Sequence, residues 1–129
     1  MELLLDTHAL LWAALEPAKL SPIARTTIEN TDNAVFVSAI SGFEITNKHR
    51  LGKLPGFEAV IEGYAQICER LQADELPISG RHARFAGSFE WQHRDPFDRM
   101  LAAQASCEGL VLVTADKAFD DLPWVKTLW

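Results

Sequence analysis

The chain has 129 residues, with 12 Lys and Arg against 18 Asp and Glu, for a formal net charge of −6. With 48% hydrophobic and 23% charged residues it has the material for a buried core, which excludes intrinsic disorder as the main state. No apolar run approaches the ~20 residues that span a bilayer, and the acidic balance excludes simple coating of nucleic acid, which needs a basic footprint.

Glu2-Leu3-Leu4-Leu5, closed by Asp6, predicts a buried first strand. Thr7 is placed to cap a helix through Ala9, Leu10, Leu11, Trp12 and Leu15, which Glu16-Pro17 ends. Ser21-Pro22, a cap followed by proline at the first helical position, opens a helix to about Asn30. Ala34-Val35-Phe36-Val37 predicts a second strand, ended by Ser38. Ser41 and Glu44 have the spacing of a capping box for a third helix, which Gly52 and Leu54-Pro55-Gly56 close. Phe57 to Leu71 is the longest helical pattern, with Val60, Ile61, Tyr64, Ile67, Cys68 and Leu71 on one stripe.

Glu75 to Ile78 predicts a short third strand, placed at a sheet edge because Pro77 lacks an amide to donate. Ser79 to Phe89 predicts a short helix with Ala83 and Ala86 at packing positions. Asp95-Pro96 opens another helix, which presents Met100, Leu101, Ala103, Ala105 and Cys107 and stops at Gly109. Leu110-Val111-Leu112-Val113 predicts a further buried strand, followed by Thr114, Ala115 and Asp116, and Trp124-Val125-Lys126 a last one.

Strands alternate with helices, and several strands are apolar throughout, as when both faces of a parallel sheet are covered. The expectation is one α/β domain spanning residues 1–129, a mostly parallel sheet with helices on both faces. Two cysteines, Cys68 and Cys107, are too few for a disulfide scaffold and lack metal-ligand spacing, so each reads as a small buried hydrophobe. Asp6 interrupts the N-terminal apolar run and the first basic residue is Lys19, so no secretory signal is legible and a cytoplasmic location is expected.

In open parallel sheets, functional groups gather outside the carboxyl ends of the strands. Asp6 follows the first strand, Asp116 lies just past Val113, Glu44 sits on the helix after the second strand, and Asp98 on the helix before the Leu110 strand. Each acid alone has an ordinary structural use: Asp6 as a helix cap, Glu44 in a capping box or paired with Lys48, Asp98 at a helix N-terminus, Asp116 in a turn. Jointly they can converge on one pocket, where like charges repel unless neutralised, and divalent cations are the usual neutraliser. No Ser or Cys stands in a nucleophile motif with a base, although Ser38, Ser41 and Thr114 are placed to orient water or substrate.

Four segments carry a family resemblance: Leu3-Leu4-Leu5-Asp6-Thr7-His8-Ala9-Leu10-Leu11-Trp12; Val37-Ser38 through Glu44-Ile45, with Lys48 one turn on; Asp95-Pro96-Phe97-Asp98-Arg99-Met100-Leu101-Ala102-Ala103-Gln104-Ala105; and Leu112-Val113-Thr114-Ala115-Asp116. In this order they resemble the PIN domain over essentially the whole chain, and within that family the compact form looks most like VapC-type toxins of bacterial toxin–antitoxin pairs. The resemblance implies an endoribonuclease dependent on Mg²⁺ or Mn²⁺, leaving 5′-phosphate and 3′-hydroxyl ends. It implies that Asp6, Glu44, Asp98 and Asp116 form the acidic metal pocket, with Asp6 and Asp98 as direct ligands and the Thr114 hydroxyl beside them. Ala115 stands where family members often carry a different residue. As partners the resemblance implies an RNA substrate, a cognate antitoxin, a homodimer and a toxin–antitoxin hetero-oligomer, with no membrane.

Asp95 reads as a helix cap before Pro96 rather than a fifth ligand. His8 either reaches the pocket or is structural; Lys48, His49, Arg50 and Lys53 either touch RNA phosphates or form a solvated helix end. Trp12 and Leu15 belong to the core or to a partner groove, while Trp91 and Trp129 suit edge packing better than base stacking. A receiver-type signalling domain is disfavoured because Asp6 stands alone at its strand end and Ile78-Ser79-Gly80 offers no acceptor aspartate. His8 occupies the position where an aspartyl phosphatase needs a second Asp. The remaining alternatives are a PIN-like binding module without catalysis and a housekeeping PIN nuclease with no antitoxin.

Overall fold

Leu3, Leu4 and Leu5 have no exposed surface at all, and the sheet is built outward from them. In a computed structural model describing residues 1–93 and 95–129, they lie in β1 (Glu2–Leu5), the middle strand of five. There follow α1 (Thr7–Leu15), α2 (Pro22–Glu29), β2 (Ala34–Ser38), α3 (Ala39–Arg50), α4 (Glu58–Glu62), α5 (Tyr64–Arg70), β3 (Ala73–Leu76), α6 (Gly80–Ser88), α7 (Pro96–Glu108), β4 (Val111–Val113) and β5 (Thr127–Leu128). The strand order is β3-β2-β1-β4-β5 and every pairing is parallel, so the sheet expected to be mostly parallel is wholly so among the described residues.

The strand period of two sorts the apolar side chains onto two faces. Leu3 and Leu5 pack with Val35, Val37 and Val113 beneath Leu10, Ala24, Ile45, Val60 and Ile67, which come from α1 through α5. Leu4 and Leu112 face the other way, onto Leu101, Ala102 and Ala105 of α7 and onto Phe119, Leu122 and Val125. With both faces covered, the central strands have no use for polar residues. Gly109 ends α7 in the left-handed region, at φ 65°, where any other residue would be strained.

Several local expectations shift. The cap of α1 is Asp6, not Thr7: the Asp6 carboxylate accepts from the Ala9 amide, which frees the Thr7 hydroxyl to point across to α3. The cap of α3 is Ser38, not Ser41, so Ser41 and Glu44 lie inside the helix and there is no capping box between them. The stripe from Phe57 to Leu71 breaks into α4 and α5 at Gly63, which serves as the end of one helix and the start of the next. An added Cβ at Gly63 would lie 3.1 Å from the Ala59 carbonyl oxygen, so the break is built around a residue without one.

The third strand begins at Ala73 and stops before Pro77, on the sheet edge as expected. In α6 the buried positions are His82 and Ala86, while Ala83 is exposed. The His82 side chain accepts from the Ser79 amide and the Ser79 hydroxyl accepts from the His82 amide, so a histidine completes that cap and is drawn inward. The final strand is Thr127–Leu128, not Trp124 to Lys126, because Val125 is taken into the core ahead of it. Cys68 and Cys107 are free thiols and only half-buried. No described helix is long and apolar enough to cross a membrane.

Truncating Leu101 to alanine opens a cavity under the sheet at a fully buried position. The expected loss is about 2–5 kcal/mol of unfolding free energy, read as a lower urea midpoint at unchanged slope. An unchanged midpoint would contradict the packing of α7 on β1 and β4.

Candidate active site

The chain leaves β1 for β2 and β3 on one side, then returns to lay β4 on the other side of β1. The reversal opens a crevice at the carboxyl ends of β1 and β4, where open α/β sheets place their ligands. Asp6 follows β1 there; its amide donates to the Val113 carbonyl at 3.1 Å and extends the ladder by one residue. Thr114 follows β4, and its hydroxyl oxygen accepts from the Asp116 amide at 3.0 Å. Two of the acids therefore approach because two central strands are hydrogen-bonded neighbours.

Asp6 is 6% exposed, and burial pushes its carboxyl above the usual range. The Thr114 side chain, the Ala9 amide and the charge of His8 pull it back down, while the neighbouring Asp116 pushes it up. Its Oδ1 accepts from Ala9 at 2.7 Å, so it faces the N-terminus of α1, where amides favour negative charge. Among the described residues no Lys or Arg pairs with it.

Glu44 comes from the second turn of α3 and is 4% exposed. The Thr7 hydroxyl donates to its Oε1 at 2.6 Å and lies 3.0 Å from the Ser41 hydroxyl. Its Oε2 is ion-paired with Lys48, one turn on, and the Lys48 ammonium stands 5.9 Å from the centre of the Phe97 ring on α7. Glu44 is thus a charge already balanced within the protein. Lys48 is committed to it rather than free for phosphate.

Asp98 sits in the first turn of α7, above the Asp95 cap, whose Oδ1 accepts from the Phe97 amide at 2.8 Å. Burial raises the Asp98 carboxyl to about 6, helped by the charges of Asp95 and Glu44 and opposed by His93. His93 Nε2 lies 2.6 Å from Asp98 Oδ2, and this hydrogen bond in turn raises the histidine above its ordinary value. Asp116 is exposed and caps a 3-10 turn by accepting from Ala118 at 2.9 Å. One ligand atom each from His93, Asp98 and Asp116 lies within 4.8 Å of the other two.

The structure therefore groups Asp6 and Thr114 at the ends of β1 and β4, with Asp116 exposed near Asp6 and within reach of Asp98 and His93 on the α7 side, and Glu44 close enough to raise Asp98. Neighbouring carboxylates help raise Asp6 and Asp98, and the oxygen-rich donor set with one imidazole nitrogen fits a divalent cation. His93 is the residue sequence reasoning missed. Its only signal was a histidine in the loop before the helix carrying Asp98, and no periodicity singles out a loop residue.

Other singled-out residues fall elsewhere. Ser38 and Ser41 are fully buried, bonded to Gln104 and Thr7, so neither can orient water or substrate. His8 is exposed and stacks on Trp12 at 5.7 Å, and Trp12 packs on Trp129 at the same separation. His49 lies 3.5 Å from Glu58 and Arg50 donates to Asn47, so the basic cluster is largely paired, with Lys53 exposed. Trp91 packs at the sheet's flank against Phe89, Phe119 and His93.

A family model described as the PIN domain matches residues 3–125. The ribonuclease VapC22 of Mycobacterium tuberculosis is 30% identical over 116 residues, which is 88% of this chain and 86% of that protein. Among solved structures, a chain of VapBC2 from Rickettsia felis, bound to a DNA fragment from their promoter, superposes with TM-score 0.73 at 16% identity, covering 99% of this chain and 98% of that one. A chain of DNA-bound VapBC from Salmonella typhimurium gives 0.69 at 21% identity, covering 99% and 97%. At those identities the two structures establish the fold.

The raised carboxyls make a directional prediction for metal-free protein. Between pH 4 and the Asp98 value of about 6 the folded state holds more protons than the unfolded, so stability falls as pH rises through that window. His93 acts in the same sense: its stabilisation is complete below its unfolded value and is lost as pH rises through its raised folded value. In EDTA the melting temperature should therefore fall from pH 5 to pH 7.5, and Asp98→Asn should flatten the fall and match or exceed the wild type at pH 7.5. A wild-type profile that rises with pH would contradict the crowding of these charges.

Proposed function

The chain belongs to the PIN domain family, and on that premise we propose that it is a divalent-metal-dependent endoribonuclease, the toxin of a type II toxin–antitoxin pair. The reading rests above all on Asp6, Glu44, Asp98 and Asp116 meeting at the β1–β4 crevice with more negative charge than the protein neutralises. Residues 1–129 act as a single domain in this reading, and the protein works in the cytoplasm.

Asp6, Asp98 and Asp116 would hold the ion, Mg²⁺ or Mn²⁺, both of which suit carboxylate oxygen. Glu44, bonded to Thr7 and Lys48, is placed to accept a proton at the edge of the site or to orient what binds there. The Thr114 hydroxyl steadies Asp6 and the turn that carries Asp116. A divalent cation bound here supplies a water of lowered pKa and a positive charge for the phosphate oxygens. No side chain needs to form a covalent bond to phosphorus. Unpaired RNA is the substrate class, since a backbone without a partner strand can enter the crevice.

The VapBC assemblies with which this fold is shared, and a toxin–antitoxin complex from Klebsiella pneumoniae, support a restraining partner for this chain as well. A segment carrying Arg or Lys would lie over the acids, and apolar residues of that segment would pack at α1, where Leu15 is 43% exposed. A two-fold homodimer and a toxin–antitoxin hetero-oligomer complete the proposal.

Purified protein with Mg²⁺ or Mn²⁺ should cut single-stranded RNA to 5′-phosphate and 3′-hydroxyl ends. EDTA should stop the reaction, and Asp6→Asn or Asp98→Asn should lower the rate by at least about a hundredfold while the fold persists. Activity surviving EDTA, or 2′,3′-cyclic phosphate ends, would refute the mechanism.

Expressed alone in a bacterial host, the chain should arrest growth, and co-expression of a small protein encoded beside it should relieve the arrest. Harmless expression of an RNase-active chain with no binding neighbour would make it a housekeeping nuclease.

A further inference from the structure

The geometry points to His93 as a direct ligand of the cation: we propose that it completes, with Asp98 and Asp116, a mixed nitrogen–oxygen site that prefers Mn²⁺ to Mg²⁺. This rests on reading the acids as a metal centre. The ligand atoms of the three residues lie within 4.8 Å of one another. Opposite ligands around one small ion stand about 4.2 Å apart for bonds near 2.1 Å, so the groups would draw in by about half an ångström to share one ion. His93 Nε2 is the nitrogen turned toward Asp98, 2.6 Å from its Oδ2.

A half-exposed loop histidine would ordinarily sample many rotamers, but this one is held. The Trp91 ring meets it edge-on at 4.8 Å between centroids, and Trp91 packs on the buried Phe119 at 5.4 Å and on Phe89 at 6.0 Å. The end of α6, just before Trp91, is fastened by Arg99, whose guanidinium donates to the carbonyls of Ala86 and Phe89 and lies 4.4 Å over the Phe89 ring. Arg99 directly follows Asp98 on α7. The helical turn that presents the carboxylate therefore also fastens the end of α6 from which the chain runs on to Trp91 and His93.

The choice of ion follows from donor chemistry. Mg²⁺ takes oxygen ligands and gives up water reluctantly, whereas Mn²⁺, also served by carboxylates, opens the first-row transition series whose later members imidazole suits and accepts a nitrogen more readily than Mg²⁺ does. A nitrogen in the set should leave Mg²⁺ affinity nearly untouched and add to that for Mn²⁺. The rival role for His93 is to hold Asp98 from outside the coordination sphere, which would support either ion equally.

The test uses the full chain stripped of metal, titrated calorimetrically with Mn²⁺ and Mg²⁺ separately, with pulsed EPR on the Mn²⁺-loaded protein. The wild type should bind Mn²⁺ about tenfold or more tightly than Mg²⁺ and show modulation from a coordinated imidazole nitrogen. His93→Gln should weaken Mn²⁺ by about tenfold, shift Mg²⁺ by less than about threefold, and abolish the modulation. His8→Gln, beside Asp6, should keep both the preference and the signal. An unchanged Mn²⁺-to-Mg²⁺ ratio in His93→Gln, or wild-type Mn²⁺ without the nitrogen signal, overturns the proposal while leaving the metal centre standing. Failure of both ions to bind the wild type overturns the metal centre and this inference with it. If His93→Gln does not fold, the wild-type EPR spectrum decides alone.

Discussion

Carboxylates crowded at the ends of buried strands are an electrostatic cost that the surrounding structure has to offset. Asp6 carries most of that constraint: it is nearly buried, stands between Thr114 and Asp116, and has no cationic side-chain partner among the described residues. The fold meets it with dipoles rather than charge, directing the first amides of α1 at the carboxylate. The strand below is entirely apolar, so nothing in the core competes for that polar atom, and the sheet can hold its central register while the charged groups collect at one end.

The other acids are handled by different means. Glu44 has its own cation in Lys48 and a hydroxyl from Thr7, so α1 and α3 are tied together through a neutralised group. Asp98 has a helix N-terminus and an imidazole. Asp116 stays in solvent, where its charge is cheapest. The uncompensated charge lies at the carboxyl ends of β1 and β4, where a bound cation would relieve repulsion between the carboxylates and stabilise the native state.

Sequence legibility followed the range of the interactions involved. The helix opening at Asp95-Pro96 and closing at Gly109, the cap at Ser21-Pro22 and the apolar strands were legible because caps, prolines and apolar runs act within a few residues. The cap assignments at Thr7 and Ser41 shifted because both hydroxyls are taken by a contact between α1 and α3, formed by residues far apart in the chain. The stripe from Phe57 to Leu71 has helical period throughout, and only the packing of two short helices shows that the chain turns at Gly63. His82 carried no hydrophobic signal, yet it is buried because its ring completes a cap and reaches Glu108 on α7 at 2.7 Å.

The residues alone determined an α/β chain with acids placed after its strands, since alternation of apolar runs and helix signals is a local property of sequence. The placement of the four acids along the chain was legible for the same reason: each follows a strand or stands at a helix turn. Their common location was decided by the strand order β3-β2-β1-β4-β5, which makes β1 and β4 neighbours although more than a hundred residues separate Asp6 from Asp116. His93 was likewise decided in three dimensions. Its place beside Asp98 goes with Trp91 seating against Phe119 and with Arg99 binding carbonyls at the end of α6, contacts that leave no period in the sequence because they join separate elements through single side chains.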